Sequence, residues 1–180
     1  MSNKIFVTGP PASGKSRAMA DAVQYAIGKG LRVAGFFTPE LRRGDAREGF
    51  DILSVDGERV PLARKKRVFP GNLKFKTYFI NPGAGRFMKN LIEKGLETSD
   101  LLVIDEIGPM ELFFPEAREA FVKALESEKP VIGVVHRKLG VHDPELYELV
   151  KKHIVLDIKH LGREKVMQEI RKLIDSVSKK

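Results

Sequence analysis

Gly9-Pro10-Pro11-Ala12-Ser13-Gly14-Lys15-Ser16 has the spacing G-x-x-x-x-G-K-S, and its flanks decide what it is. Lys4 to Thr8, just before it, is a short apolar run that reads as a buried strand. Ser16 to about Gly28, just after it, reads as a helix rich in Ala and Met. A glycine-bearing turn between a strand and a helix is the setting of a phosphate loop. The backbone N–H groups of such a loop converge on an anion, and the positive end of the helix dipole favours the same charge. Lys15 is expected to neutralise phosphate oxygens, and Ser16 to offer its hydroxyl to Mg²⁺, which prefers oxygen ligands and keeps most of its waters.

Outward from that loop, short apolar runs alternate with helical periods, the pattern of an α/β domain on a largely parallel sheet. Strands are expected at 31–38, 101–105, 131–135 and 154–158, and helices at 86–96, 115–127, 144–152 and 163–177. With the first strand this makes about five parallel strands. Residues 49–55 and 59–62, joined through Asp56-Gly57, read as an inserted antiparallel hairpin, and 74–80 as one further short strand.

The length of 180 residues, with 42% hydrophobic and 31% charged residues, suits one compact domain spanning 1–180. No apolar run approaches a membrane span, and the first one stops at Gly9. A cytoplasmic protein is expected. The absence of cysteine excludes disulfides, thiolate metal sites and cysteine nucleophiles. Few Asn and Gln beside abundant Lys, Arg and Glu lean towards a thermophile. The net charge of +8 is concentrated, because residues 59–94 carry ten basic side chains and one acid. His142, His153 and His160 lack metal-ligand spacing and are expected on the surface.

A phosphate loop needs a second acid to position its cation. Asp105, at the end of Leu101, Leu102, Val103 and Ile104, stands where one is expected. Glu106 follows it, pointing to the other side of the extended chain, and is expected to orient and deprotonate an attacking water. That adjacency favours hydrolysis, since the nucleophile of a kinase comes with its acceptor.

Two more stretches carry a resemblance. Gly35, Phe36, Thr38, Glu40, Arg42, Gly44, Arg47, Gly49, Phe50, Asp51 and Ile52, and then Asp105, Glu106, Ile107, Gly108, Met110, Glu111, Leu112 and Phe113, resemble the G-F-x-T-x-E-x-R…G-x-R-x-G-F-D-I and D-E-I-G-x-M-E-L-F motifs of the small thermophilic nucleoside-triphosphatase family. The human cancer-related nucleoside-triphosphatase is one of its members. The resemblance covers about the first 55 residues and Leu101 to Phe113. It implies a P-loop NTPase fold, a RecA-like three-layer sandwich with a mainly parallel central sheet and an inserted antiparallel hairpin. It also implies Mg²⁺-dependent hydrolysis of nucleoside triphosphates with little base selectivity. The nucleotide-contacting residues are then Gly9, Pro10, Pro11, Ala12, Ser13, Gly14, Lys15 and Ser16, together with Leu101, Leu102, Val103, Ile104, Asp105, Glu106, Ile107 and Gly108. Glu106 and Lys15 are catalytic, and Ser16 and Asp105 hold the Mg²⁺, partly through water.

The sequence departs from the family pattern in carrying Ala12 for Gly, Ser16-Arg17 for Thr-Thr, and Pro109 for Lys. Without that Lys, transition-state charge needs another cation, for which Arg42, Arg47 and Arg137 are candidates. Glu40 is expected to line the crevice with Arg42 and Arg47. Glu111 either binds a cation or makes a structural ion pair before Pro115. Arg163 weakly resembles an Asn-Arg element near the family's base site. The protein is expected to act as a monomer on nucleoside triphosphates. Two alternatives stand beside hydrolysis: a kinase acting on a small molecule or nucleotide with 59–94 as a lid, or an ATP-dependent nucleic-acid-binding module using Arg64, Lys65, Lys66 and Arg67 beside Phe69, Phe75 and Tyr78.

Overall fold

The computed structural model describes residues 2–179. Alternating apolar residues on each strand divide between two cores, one on each face of a single sheet. In β1 (Lys4–Thr8), Ile5 and Val7 face one core and Phe6 the other. In β8 (Leu101–Ile107), Leu101 and Val103 share a face while Leu102 and Ile104 take its opposite. Helices α1 (Lys15–Gly28) and α7 (Arg163–Ser178) cover the first face with Met19, Ala22, Val23, Val166, Ile170 and Ile174. Helices α2 (Ala84–Thr98), α3 (Pro115–Glu126) and α5 (Pro144–Lys151) cover the second with Met88, Ile92, Phe121 and Leu146. Runs of apolar residues, and no polar–apolar alternation, are what a strand buried on both faces requires. The result is a three-layer α/β sandwich.

Among the described residues the sheet has ten strands. Its parallel part runs β10 (Ile154–Asp157), β1, β9 (Val131–Val135), β8 and β2 (Val33–Phe37), the five strands expected. An antiparallel extension then leaves the edge of β2 through β4 (Ala46–Ser54), β5 (Arg59–Arg64), β7 (Tyr78–Ile80) and β6 (Lys74–Phe75), with β3 (Glu40–Arg43) paired to β4. The hairpin closed through Asp56-Gly57 is present, but it is one piece of a larger structure. β3 and the start of β4 were not expected, because Glu-Leu-Arg-Arg is exposed at three of four positions and shows no apolar face. Residues 74–80 form two strands about Lys76, whose φ is 54°. Ile158 leaves the last strand for a short helix, α6 (Ile158–Leu161), and Asp157 caps it by accepting from the Lys159 N–H. Another, α4 (Leu139–His142), follows β9. His153 is half-buried, its ring 6.5 Å from Phe6 and hydrogen-bonded to Ser2 and the Leu125 carbonyl, a departure from the surface position expected.

The approach of β2 to β8 depends on Gly35. Its φ is 116°, and a Cβ there would lie 1.9 Å from the Val103 carbonyl oxygen. Gly35→Ala is therefore expected to destabilise the protein by about 3 kcal/mol or more. Thermal unfolding should register this as a Tm lower by about 6–12 °C, and an unchanged Tm would contradict the packing described.

Candidate active site

All five parallel strands end on the same edge of the sheet, and the loops beyond them enclose the site. After β1, Gly9 to Gly14 loop over that edge, with Gly9, Ala12 and Gly14 at φ of 153°, 59° and 91°. Only glycine takes such positive values freely, and Gly14 at 91° carries the chain straight into α1. Ser13 Oγ donates to the Pro10 carbonyl, at 2.6 Å. The Lys15 ammonium donates to the carbonyls of Gly9 and Pro10, at 2.6 and 2.9 Å. It is thus held across the mouth of the loop.

β8 supplies the acids. Its pairing with β9 shifts register between Asp105 and Ile107, which lie opposite the successive residues Val134 and Val135. The bulge leaves Glu106 out of the ladder and re-aims it. Asp105 and Glu106 consequently line the same cleft, which corrects the expectation that Glu106 would point to the other side of the strand. Leu101, Leu102, Val103, Ile104 and Ile107 are wholly buried in the two cores. They place the two acids and present no side chain to the cleft, a second correction.

Burial governs the charge of these groups. Desolvation pushes Asp105 up to about 7; the Ser16 hydroxyl and Lys15 oppose the rise, and Glu106 adds to it. Glu106 is raised by burial against the pull of Lys15. Glu111, in a 3₁₀ turn at Glu111–Phe113, is 3% exposed and raised well above an ordinary carboxyl, first by burial and then by Glu106. It makes no ion pair with the described residues, and α3 has no side-chain cap, so the structural salt bridge weighed from sequence is not formed. Burial likewise lowers Lys15, against the charges of Glu106 and Asp105. His136 is held low, first by burial and then by His142, Lys15, Arg137 and Lys76.

The cleft has a volume of about 660 Å³ and reaches from Gly9, Lys15 and Ser16, past Thr38, Asp105, Glu106, Glu111, His136 and Arg137, to the antiparallel extension. Glu40 and Arg47 line it as a pair, 2.7 Å apart, and Arg47 holds the Glu40 carboxyl below its usual range. Arg42 also bonds Glu40, at 2.8 Å, but lies outside the cleft lining. Arg163 pairs with Asp21 of α1 and is likewise outside it. Of the basic and aromatic patch, Arg64 is tied to Asp51, whereas Phe75, Lys76 and Tyr78 line the cleft. Lys76 was not singled out from sequence, and the fold of the extension brings it to the cleft wall beside Phe75 and Tyr78.

The oxygen donors suit a hard divalent cation. Asp105 Oδ2 is buried without a hydrogen-bond partner, and the Ser16 hydroxyl influences the same carboxyl. No group of three His, Asp or Glu side chains forms a cage among the described residues.

A phosphate loop, a buried acid and a second carboxylate at the carboxyl edge of a parallel sheet define a P-loop nucleotide-binding domain. The chain belongs to the NTPase family, whose pattern it matches over residues 4–171. It is 34% identical to the nucleoside-triphosphatase THEP1 of Ignicoccus hospitalis, over 97% of this chain and 98% of that one. It is 39% identical to that of Thermococcus kodakarensis, over 77% and 78%. The solution structure of a human cancer-related nucleoside triphosphatase superposes with a TM-score of 0.79 at 26% identity, covering 97% of this chain and 98% of that one. The crystal structure of THEP1 from Aquifex aeolicus gives 0.77 at 23%, covering 96% and 99%, a likeness of fold.

In metal-free, nucleotide-free protein, Asp105 keeps its proton to about pH 7, while the unfolded chain releases it near pH 4. The folded state therefore binds the extra proton between those values, and its contribution to stability is lost as pH rises through that window. Urea unfolding with EDTA should show the wild type losing on the order of 3 kcal/mol more than Asp105→Asn between pH 4 and pH 8. Equal losses would contradict the burial of this carboxyl.

Proposed function

We propose that the protein hydrolyses nucleoside 5′-triphosphates to the diphosphate and phosphate, with Mg²⁺ as cofactor and little selectivity for the base. The observation that carries this reading is the meeting of Lys15, Asp105 and Glu106 in one cleft beside the phosphate loop. The family membership supports it, as do relatives named nucleoside-triphosphatase.

The loop amides and Lys15 take the β- and γ-phosphates, with the ammonium exchanging the Gly9 and Pro10 carbonyls for phosphate oxygens. Ser16 and Asp105 would hold Mg²⁺, which when bound draws negative charge from the phosphates. Glu106 accepts the proton of a water placed in line with the terminal phosphorus. Water's oxygen bonds to phosphorus as the bond to the bridging oxygen breaks, and the diphosphate departs. Charge developing on the terminal oxygens meets Lys15 together with Arg137, which lines the cleft where the family's Lys is replaced by Pro109. Arg47 is matched by Glu40 and contributes less. Glu106 remains competent because Lys15 favours its ionised form.

Among the described residues no helix is long and apolar enough to cross a membrane, and we place the enzyme in the cytoplasm of a thermophile as a single-domain monomer.

Glu106→Gln should lower kcat for phosphate release by about 10²–10⁴ while leaving the Kd for Mg²⁺–nucleotide within a few-fold. Lys15→Ala should instead weaken that Kd by about 10–100-fold. Loss of both properties in Glu106→Gln, or of neither, would overturn the role given to this carboxylate. Release of phosphate from the common ribonucleoside triphosphates without any added acceptor checks the reaction itself.

A further inference from the structure

The reaction above uses one end of the cleft and leaves the other unexplained. Beyond Glu106 the walls are Phe50, Leu62, Phe75 and Tyr78, all from the antiparallel extension. Phe50 and Tyr78 meet edge to face, with ring centroids 5.6 Å apart. The Arg47 guanidinium lies 5.5 Å from the Phe50 ring, and the Lys76 ammonium 5.6 Å from the Phe75 ring. A water molecule acting as nucleophile needs no aromatic wall. The whole cleft, phosphate end included, has a volume of about 660 Å³, within the range of small-molecule sites.

In-line displacement identifies which molecule this end can hold. The nucleophile and the leaving diphosphate lie on opposite sides of the phosphorus. Space on the nucleophile's side, past Glu106, therefore does not belong to the nucleoside of the triphosphate. Glu111, which lines the cleft and is only 3% exposed, carries a buried oxygen with no protein partner, Oε2. An unpaired buried oxygen is costly, and a ligand N–H or O–H would offset that cost. Arg47 is matched by Glu40, the buried Glu111 carboxyl disfavours an anion beside it, and Lys76, already over the Phe75 ring, suits a neutral aromatic ring next to it.

We propose that the chamber walled by Phe50, Leu62, Phe75, Tyr78 and Glu111 is a second ligand site. It takes an uncharged planar molecule of the nucleoside class, its ring against Phe75 and a donor directed to Glu111, while a triphosphate occupies the phosphate loop. The inference rests on the proposed triphosphate site and adds a second ligand to it.

The test is calorimetric titration of adenosine, guanosine, cytidine and uridine, each into protein saturated with Mg²⁺ and a non-hydrolysable β,γ-imido triphosphate. At least one nucleoside is expected to bind one-to-one with a Kd on the order of 1 mM or tighter. Phe75→Ala should weaken it at least about fivefold and Phe75→Tyr should retain it, with the affinity for the analogue unchanged in both. Should Phe75→Ala not fold, nuclear Overhauser contacts from base protons to Phe and Tyr rings in the wild type decide instead. Absence of nucleoside binding to the loaded protein overturns the second site. So does binding that rising analogue concentration displaces, which places the nucleoside in the triphosphate's own site. Failure of the analogue itself to bind would overturn the phosphate-loop reading, and this inference with it.

Discussion

Removal of the acids at the end of β8 from water is the constraint on which the rest of the site depends. Asp105 and Glu111 are each 3% exposed, and a buried carboxylate is tolerated only if it is protonated or supplied with positive charge. Lys15, itself partly desolvated, is the cation whose charge acts on both Asp105 and Glu106. Its charge is insufficient for three acids, so all three are raised. A site in this condition favours the arrival of a divalent cation, and the Lys15 ammonium is held by two carbonyls that phosphate oxygens can replace. Stability without ligand is thus exchanged for affinity, a common arrangement at functional sites.

The fold maintains that condition by packing around the acids everywhere except where they face the cleft. β8 is an inner strand, flanked by β9 and β2, with Leu102 and Ile104 packed on one face and Leu101 and Val103 on the other. Its bulge sends Asp105 and Glu106 into one cleft, while the 3₁₀ turn following it folds Glu111 back towards them. The antiparallel extension from β2 then closes the cleft opposite the phosphate loop. Fixed dipoles and charges in such an enclosure act more strongly than they would in water.

The parts legible in the sequence were those whose chemistry is local. The phosphate loop declares itself through Gly9, Gly14 and Lys15 between a strand and a helix, and Asp105 through the four apolar residues that lead to it. The parallel strands were readable because burial on both faces requires uninterrupted apolar runs. The rest depended on contacts between residues far apart in the chain. β3 has a single apolar residue, Leu41, among three charged ones and was hidden for that reason. The direction of Glu106 depends on a bulge that a strict alternation cannot foresee. Arg42 and Arg47 read alike as cations, stand opposite each other across the β3–β4 hairpin and both bond Glu40, yet only Arg47 lines the cleft. Phe75 and Tyr78 read as an exposed stacking surface, and became cleft walls because β6 and β7 return to the sheet.

The central claim is that Glu106 faces a nucleophile in line with a terminal phosphoryl group held by Lys15. A crystal structure with Mg²⁺, the nucleoside diphosphate and aluminium fluoride, which mimics the transferring group, tests it most directly. An apical water is expected within about 2.6–3.2 Å of a Glu106 carboxylate oxygen, with Lys15 on the fluoride. An apical water bonded to some other residue, with Glu106 turned away from the fluoride, would contradict it.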